Sequence, residues 1–132
     1  MSIGEDRSVL ATMSETWKKQ GGISKDYTWT KTEKVSVTTL DNLISLYGLP
    51  KFCKIDVEGA ALDVLKSFGS KLNLVKSFQI ECELEQIWEG QSLYIDVTTF
   101  LKRKGFDELM YVKVCRNQID ALWVRADCIK NV

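Results

Sequence analysis

Four carboxylates carry the chemistry that this sequence suggests. Asp56 and Glu58 stand in the stretch KIDVEG at residues 54–59, and Glu81 and Glu83 stand in IECELE. The chain contains no histidine. Any proton transfer therefore falls to Asp, Glu, Lys, Tyr or water, and serine-hydrolase triads and histidine-based acid–base pairs are excluded. Neighbouring carboxylates can take a proton from a hydroxyl, bind that hydroxyl, or hold a hard divalent cation such as Mg²⁺ through oxygen ligands.

The elements that position these acids follow from the pattern around them. Strand alternation in FCKIDVEG puts Phe52, Lys54, Asp56 and Glu58 on one side and Cys53, Ile55 and Val57 on the other. A central parallel strand is covered on both faces, and an unpaired buried charge is costly. The acids therefore belong at the strand's carboxyl end, where crevices open. Glu81 and Glu83 fall at the same end of the next strand, VKSFQIECEL, so adjacent parallel strands would bring all four to one rim. Asp56 reads equally as the cap of the helix that follows it, with Glu58 at that helix's positive end. Lys54 is placed to pair with one of the glutamates. No helix starts directly after Glu81 and Glu83 to use them structurally, and Gly59 removes a side chain where a ligand would approach the backbone.

The wider chain alternates strand and helix signals. VSVTT (35–39) reads as a short strand, and Thr38 or Thr39 caps a helix with Leu40, Leu43, Ile44 and Tyr47 on its apolar face. Gly48 and Pro50 end that helix. FCKIDV is the next strand. A second helix follows over about 60–68, with Ala61, Leu65 and Phe68 inward and Gly69 as its stop. VKSFQIECEL places Phe78, Ile80, Cys82 and Leu84 on one face. A third helix over about 92–104 presents Leu93, Val97, Phe100 and Leu101 and ends in KRKG, with cations at the negative end of the dipole. ELMYVKV and DALWVRA, separated by Arg116–Gln118, read as a closing hairpin. The order β-α-β-α-β-α-β-β predicts an α/β fold, a mostly parallel sheet with helices on both faces and one antiparallel terminal strand. Residues 1–34 form a hydroxyl- and charge-rich lead segment with a short helix over 9–19 and a break at Gly21-Gly22. The second region runs over 35–132.

Composition narrows the function classes. The chain has 132 residues, 45% hydrophobic and 27% charged, with 18 basic and 18 acidic side chains that cancel. One core-bearing domain suits that length. Zero net charge without a basic run argues against nucleic acid as a partner. No apolar run nears the roughly 20 residues of a membrane span, and the first residues do not resemble a secretory signal, which predicts a cytoplasmic protein. The four cysteines (Cys53, Cys82, Cys115, Cys128) are far apart and match neither a zinc site nor a disulfide framework. They read as reduced thiols, three of them inside apolar strand-like runs.

VSVTTLDNLISLYGLP, FCKIDVEGAALDVLKSF, SFQIECELE and FLKRKGF, spanning 35–106, resemble the FkbM-type methyltransferases, and the pairing of TLDNL with KIDVEG is fairly specific. LATMSETWKK resembles the Ser/Thr-rich segment that some members carry upstream. The resemblance implies S-adenosylmethionine as cofactor, a Rossmann-like fold and O-methyl transfer to a hydroxyl of a sugar or natural product. It implies Asp56 at the transfer centre as base or orienter, and Glu81 or Glu83 binding the acceptor hydroxyl or a divalent ion. Glu58 and Trp17 would join on the substrate side, and Lys54 and Gly59 on the cofactor side. Tyr27, Trp17 and Trp29 would wall the site for a sugar, unless they simply pack the lead segment.

No glycine-rich turn follows a strand here, so the sequence looks like the C-terminal half of that fold. The FCKIDV strand then becomes a sheet edge, which predicts that 35–39 or the lead segment covers it or that it serves a homodimer or the missing half. Two further readings stand beside the enzyme: a non-catalytic half-domain that binds a partner through that edge, and an acid-lined module for a cation or polyol.

Overall fold

The structure, a computed structural model, describes residues 29–87 and 90–129 together with the strand backbone of 2–4 and 11–12; for 29–32 it likewise describes backbone alone. It divides into two compact units, residues 1–37 with 87–91, and residues 38–86 with 92–132.

The first unit holds three short strands, β1 (Ser2–Gly4), β2 (Ala11–Thr12) and β3 (Trp29–Thr32), in the antiparallel order β2-β1-β3. Ser2 pairs with both Thr12 and Thr32, and the register shifts between Ile3 and Gly4. The helix expected over 9–19 gives way at Ala11–Thr12 to this ladder. A weakly periodic segment has no face to bury as a helix, whereas pairing with β1 satisfies its backbone. The rest of that helix and the Gly21-Gly22 break lie outside the described residues.

The second unit is a mixed α/β layer. Its elements are α1 (Leu40–Tyr47), β4 (Phe52–Ile55), α2 (Ala61–Lys66) and a 3₁₀ turn (Gly69–Leu74). They continue with β5 (Ser77–Glu83), α3 (Tyr94–Arg103), β6 (Phe106–Lys113), β7 (Gln118–Arg125) and a final turn of helix, α4 (Ala126–Ile129). The sheet order is β4-β5-β7-β6. Only β4 and β5 pair in parallel; β7 runs antiparallel to both of its neighbours. The expected mostly parallel sheet is thus corrected. The return strand of the hairpin inserts between β5 and β6 and converts two of the three pairings to antiparallel.

Helix α1 starts where Thr39 accepts a hydrogen bond from the Asn42 backbone (3.2 Å) and stops at Gly48, whose N–H donates to the Ile44 carbonyl. Leu40 and Ile44 pack against the core, but Tyr47 is exposed and falls off the expected face. Residues 35–39 form no ladder, and Val35 and Val37 are exposed. β propensity at VSVTT is not enough for a strand without a partner to pair with. Helix α2 stops at Lys66, earlier than expected, and the chain tightens into the 3₁₀ turn.

The core is one cluster. Ile55, Phe78, Ile80, Cys82, Phe106, Ile119, Ala121 and Trp123 come from the strands, and Ala61, Leu65, Phe68, Leu72, Val97 and Leu101 from the helices. Phe78 stacks edge-on against Phe68 at 5.4 Å and lies 5.3 Å from Phe106. Leu84, expected inward, lies beyond β5 and is exposed.

All of these strand residues share one face, so the helices that contribute to this core cover that face alone, where helices on both faces were expected. The opposite face carries Phe52 and Lys54 of β4, Gln79 and Glu81 of β5, and Asp120 and Leu122 of β7, as the register dictates. Strand β4 is an edge; among the described residues it pairs with β5 only. No helix of the described residues is long and apolar enough to cross a membrane.

Candidate functional site

The site forms where the β4–β5 parallel pair runs out. Register places Ile55 beside Ile80, so Asp56 leaves β4 next to Glu81. The chain then turns sharply. Glu58 adopts φ 50° and Gly59 φ 88°, two consecutive residues in the left-handed region. That conformation disfavours a side chain at both positions, yet only the second is glycine. The turn is braced from α3's side: the Gly59 carbonyl accepts hydrogen bonds from the Ser92 N–H (2.9 Å) and hydroxyl (2.6 Å). Ser92 Oγ in turn accepts from the Leu62 N–H at 3.3 Å. A buried Gly59 is thus a structural pivot of the acidic turn.

This turn brings one carboxylate oxygen from each of Asp56, Glu58 and Glu81 within 4.8 Å of one another. Asp56 is exposed, whereas Glu58 and Glu81 are half-buried. Like charges this close raise the cost of ionising the last member. Burial first, and then the charges of Asp56, Glu58, Glu83 and Asp120, push the Glu81 carboxyl up to about 7. Glu58 is also raised, by burial and by Asp56. Lys54 Nζ pairs with Asp56 Oδ2 at 2.9 Å, and this hydrogen bond and charge raise the ammonium above its usual range. The expected partner of Lys54 was a glutamate; a strand-end Asp two residues on is nearer. Asp56 does not cap the next helix. Ala60 occupies the cap position of α2 and makes no side-chain cap, which removes the capping role from Asp56.

Glu83 lies outside the triad. It is 2% exposed at the end of β5, where its own backbone forms an isolated parallel bridge with Leu93. Trp17 and Tyr27 lie outside the described residues, as does the side chain of Trp29. Three polar neighbours were not anticipated. Gln118 Nε2 donates to Glu81 Oε1 at 3.4 Å, Asp120 stands directly across from Glu81, and Gln79 Nε2 donates to Asp120 Oδ2 at 3.3 Å. Gln118 and Asp120 alternate with buried Ile119 and Ala121, so their outward side was readable. Their adjacency to Glu81 depends on β7 lying beside β5, which the order of elements does not reveal.

Half-buried carboxylates on a strand rim, one of them titrating near neutrality, can accept a proton from a hydroxyl, bind polyol hydroxyls or ligate a divalent cation. The family model described as Methyltransferase FkbM domain matches residues 3–108. The chain belongs to that family. No curated protein and no solved structure matches it significantly. Methyltransferases of this family use S-adenosylmethionine in general, and the donor set of the rim fits its sulfonium end, since three carboxylates complement a cation. Lys54 and Gly59 flank the same strand end.

Proposed function

We propose that this chain takes part in S-adenosylmethionine-dependent O-methyl transfer to a hydroxyl of a sugar or natural product. The observation that supports this reading best is the convergence of Asp56, Glu58 and Glu81 at the end of the parallel pair, in a chain without histidine. In this reading the sheet is the C-terminal part of a Rossmann-like methyltransferase fold in a cytoplasmic protein. The bound cofactor supplies an electrophilic methyl group.

The acceptor hydroxyl binds across the rim. Glu81, ionised above neutrality, takes its proton, and Gln118 holds the Glu81 carboxylate by donating to Oε1. Asp56, anchored by Lys54, orients the hydroxyl, and Glu58 serves the acceptor's other polar groups, whereas Glu83 is too deeply buried to reach it. Lys54 and Gly59 form the cofactor side. In-line transfer asks the protein mainly for positioning, which a rim on two hydrogen-bonded strands provides.

Calorimetric titration with S-adenosylmethionine, followed by methyl-transfer assays on a panel of polyols, tests the reading. Glu81→Gln is expected to lower transfer by about 100-fold or more while cofactor affinity stays within about threefold. Unchanged transfer in this variant would sink the role of Glu81.

The same three oxygens favour a second reading, a Mg²⁺-binding rim that holds the acceptor through the ion. Titration with Mg²⁺ separates the two: heat lost on Glu58→Gln and Glu81→Gln supports the ion, and no heat leaves the metal-free mechanism.

A further inference from the structure

The acidic turn holds a conformation that its own sequence does not favour. The Ala60 N–H donates to the Val57 carbonyl at 3.2 Å, closing a four-residue turn whose central residues, Glu58 and Gly59, are both left-handed. Turns of that hand take Gly, Asn or Asp at the centre, because a larger side chain crowds the backbone there. A glutamate at the first central position is therefore held from outside the turn. The hold comes from Ser92, 33 residues further along the chain than Gly59. Its N–H and its hydroxyl both donate to the Gly59 carbonyl, at 2.9 and 2.6 Å.

The same hydroxyl has a second bond. Helix α2 begins behind Ala60, whose side chain has no oxygen to cap it, and Ser92 Oγ accepts the Leu62 N–H at 3.3 Å. The second residue of a helix is where a capping oxygen ordinarily bonds, from the residue just before the helix. Here the cap is supplied by the segment that leads into α3. Asp56 and Glu58, the acids just ahead of α2, are thereby relieved of capping, and their carboxylates stay on the rim with Glu81. Without the Ser92 hydroxyl, the Leu62 N–H loses its acceptor and the Gly59 carbonyl loses its shorter hydrogen bond. The turn's own sequence then pulls Glu58 out of the left-handed region, and a carboxylate that swings to cap α2 opens the cluster. In-line transfer tolerates little of this, since a misplacement of roughly 1 Å costs about 100-fold in rate.

We propose, on the O-methyl-transfer reading of the rim, that Ser92 is a positioning residue for the reaction. It touches no substrate; by fixing the Gly59 carbonyl and capping α2 it keeps Asp56, Glu58 and Glu81 together. Ser92→Ala is expected to lower kcat by about 100-fold with KM within about threefold, assayed well below the variant's thermal midpoint. Ser92→Thr, which keeps the hydroxyl, should recover kcat to within about threefold of the parent chain. Ser67 supplies the control: its hydroxyl accepts the Leu40 N–H of α1 at 3.2 Å, the same kind of bond, but at the other end of α2 from the acids. Ser67→Ala should lower the thermal midpoint and leave kcat unchanged. By NMR, which needs no substrate, Ser92→Ala should speed amide exchange at Leu62 and move the Glu58 backbone coupling out of the left-handed range. Parental kcat in Ser92→Ala, or an unchanged Leu62 amide and Glu58 coupling, would overturn the proposal. No transfer by the parent chain would instead remove the methyl-transfer reading, and the NMR result would still decide whether Ser92 holds the turn.

Discussion

Glu81 concentrates what is unusual in this site, because its environment favours the neutral acid. Its carboxyl sits near 7 in the folded chain against 4.5 as its ordinary value. The folded state therefore binds the Glu81 proton more tightly than the unfolded chain does, and its contribution to stability falls as pH rises from about 4.5 through 7. Glu81→Gln should flatten that slope. Above pH 8 it should stabilise the protein on the order of 1 kcal/mol, a figure reduced because solvent screens a half-buried group. Urea midpoints of both proteins at pH 5 and pH 8 check the sign; a larger gain at pH 5 would contradict it. Asp56 makes the opposite test. It caps no helix and is exposed beside Lys54, so Asp56→Asn should change stability by less than about 1 kcal/mol while reducing methyl transfer. A large fall in thermal midpoint would return it to a structural role.

At the scale of elements, the local signals were the legible ones. Thr39 at the head of α1, Gly48 at its end and the cations and Gly105 closing α3 are chain-local chemistry and stand where the sequence puts them. Thr39→Ala should cost about 1 kcal/mol, seen as a lower urea midpoint with an unchanged slope. The loss stays modest because α1 is also tied down elsewhere. The Asp41 N–H donates to the Ser67 carbonyl, and Lys71 pairs with Asp41 at 3.0 Å. What was not legible depends on partners distant in sequence. VSVTT has strand propensity and no ladder. Gln118 and Asp120 have an outward phase, but they acquire Glu81 as a neighbour only through the insertion of β7. Ser92, read as the start of a helix, is instead the brace of a turn more than 30 residues earlier.

Across the second unit, stability rests on one apolar layer between the sheet and the helices on its inner face. Phe78 lies at its centre, fully buried between Phe68 and Phe106. Phe78→Ala should cost about 3–5 kcal/mol, a large share of the stability of a domain this size. Loss of the cooperative unfolding transition would be the visible result, whereas a drop under about 1 kcal/mol would show that the layer is not the core. The same layer is one-sided: on the other face of the sheet lies the polar row of Lys54, Gln79, Glu81 and Asp120, which continues from the candidate site. Trp123, buried on the core side of β7, and Asp120 on its outer side make that strand a member of both.

The position of β7 also bears on how the protein comes into being. The strand that follows all the others in the chain lies inside the sheet, with β5 on one flank and β6 on the other. During synthesis β6 has no neighbour to pair with until β7 emerges, and β5 keeps an exposed flank for as long. Closure of the sheet is therefore a late event, dominated by β5–β7 contacts that run from Glu83 with Gln118 to Ser77 with Val124, far apart in sequence and the slow kind in folding. A shortened chain that stops before Gln118 would not merely lose an outer strand. It would part the sheet in two and leave the β6 edge as an unanchored apolar ribbon.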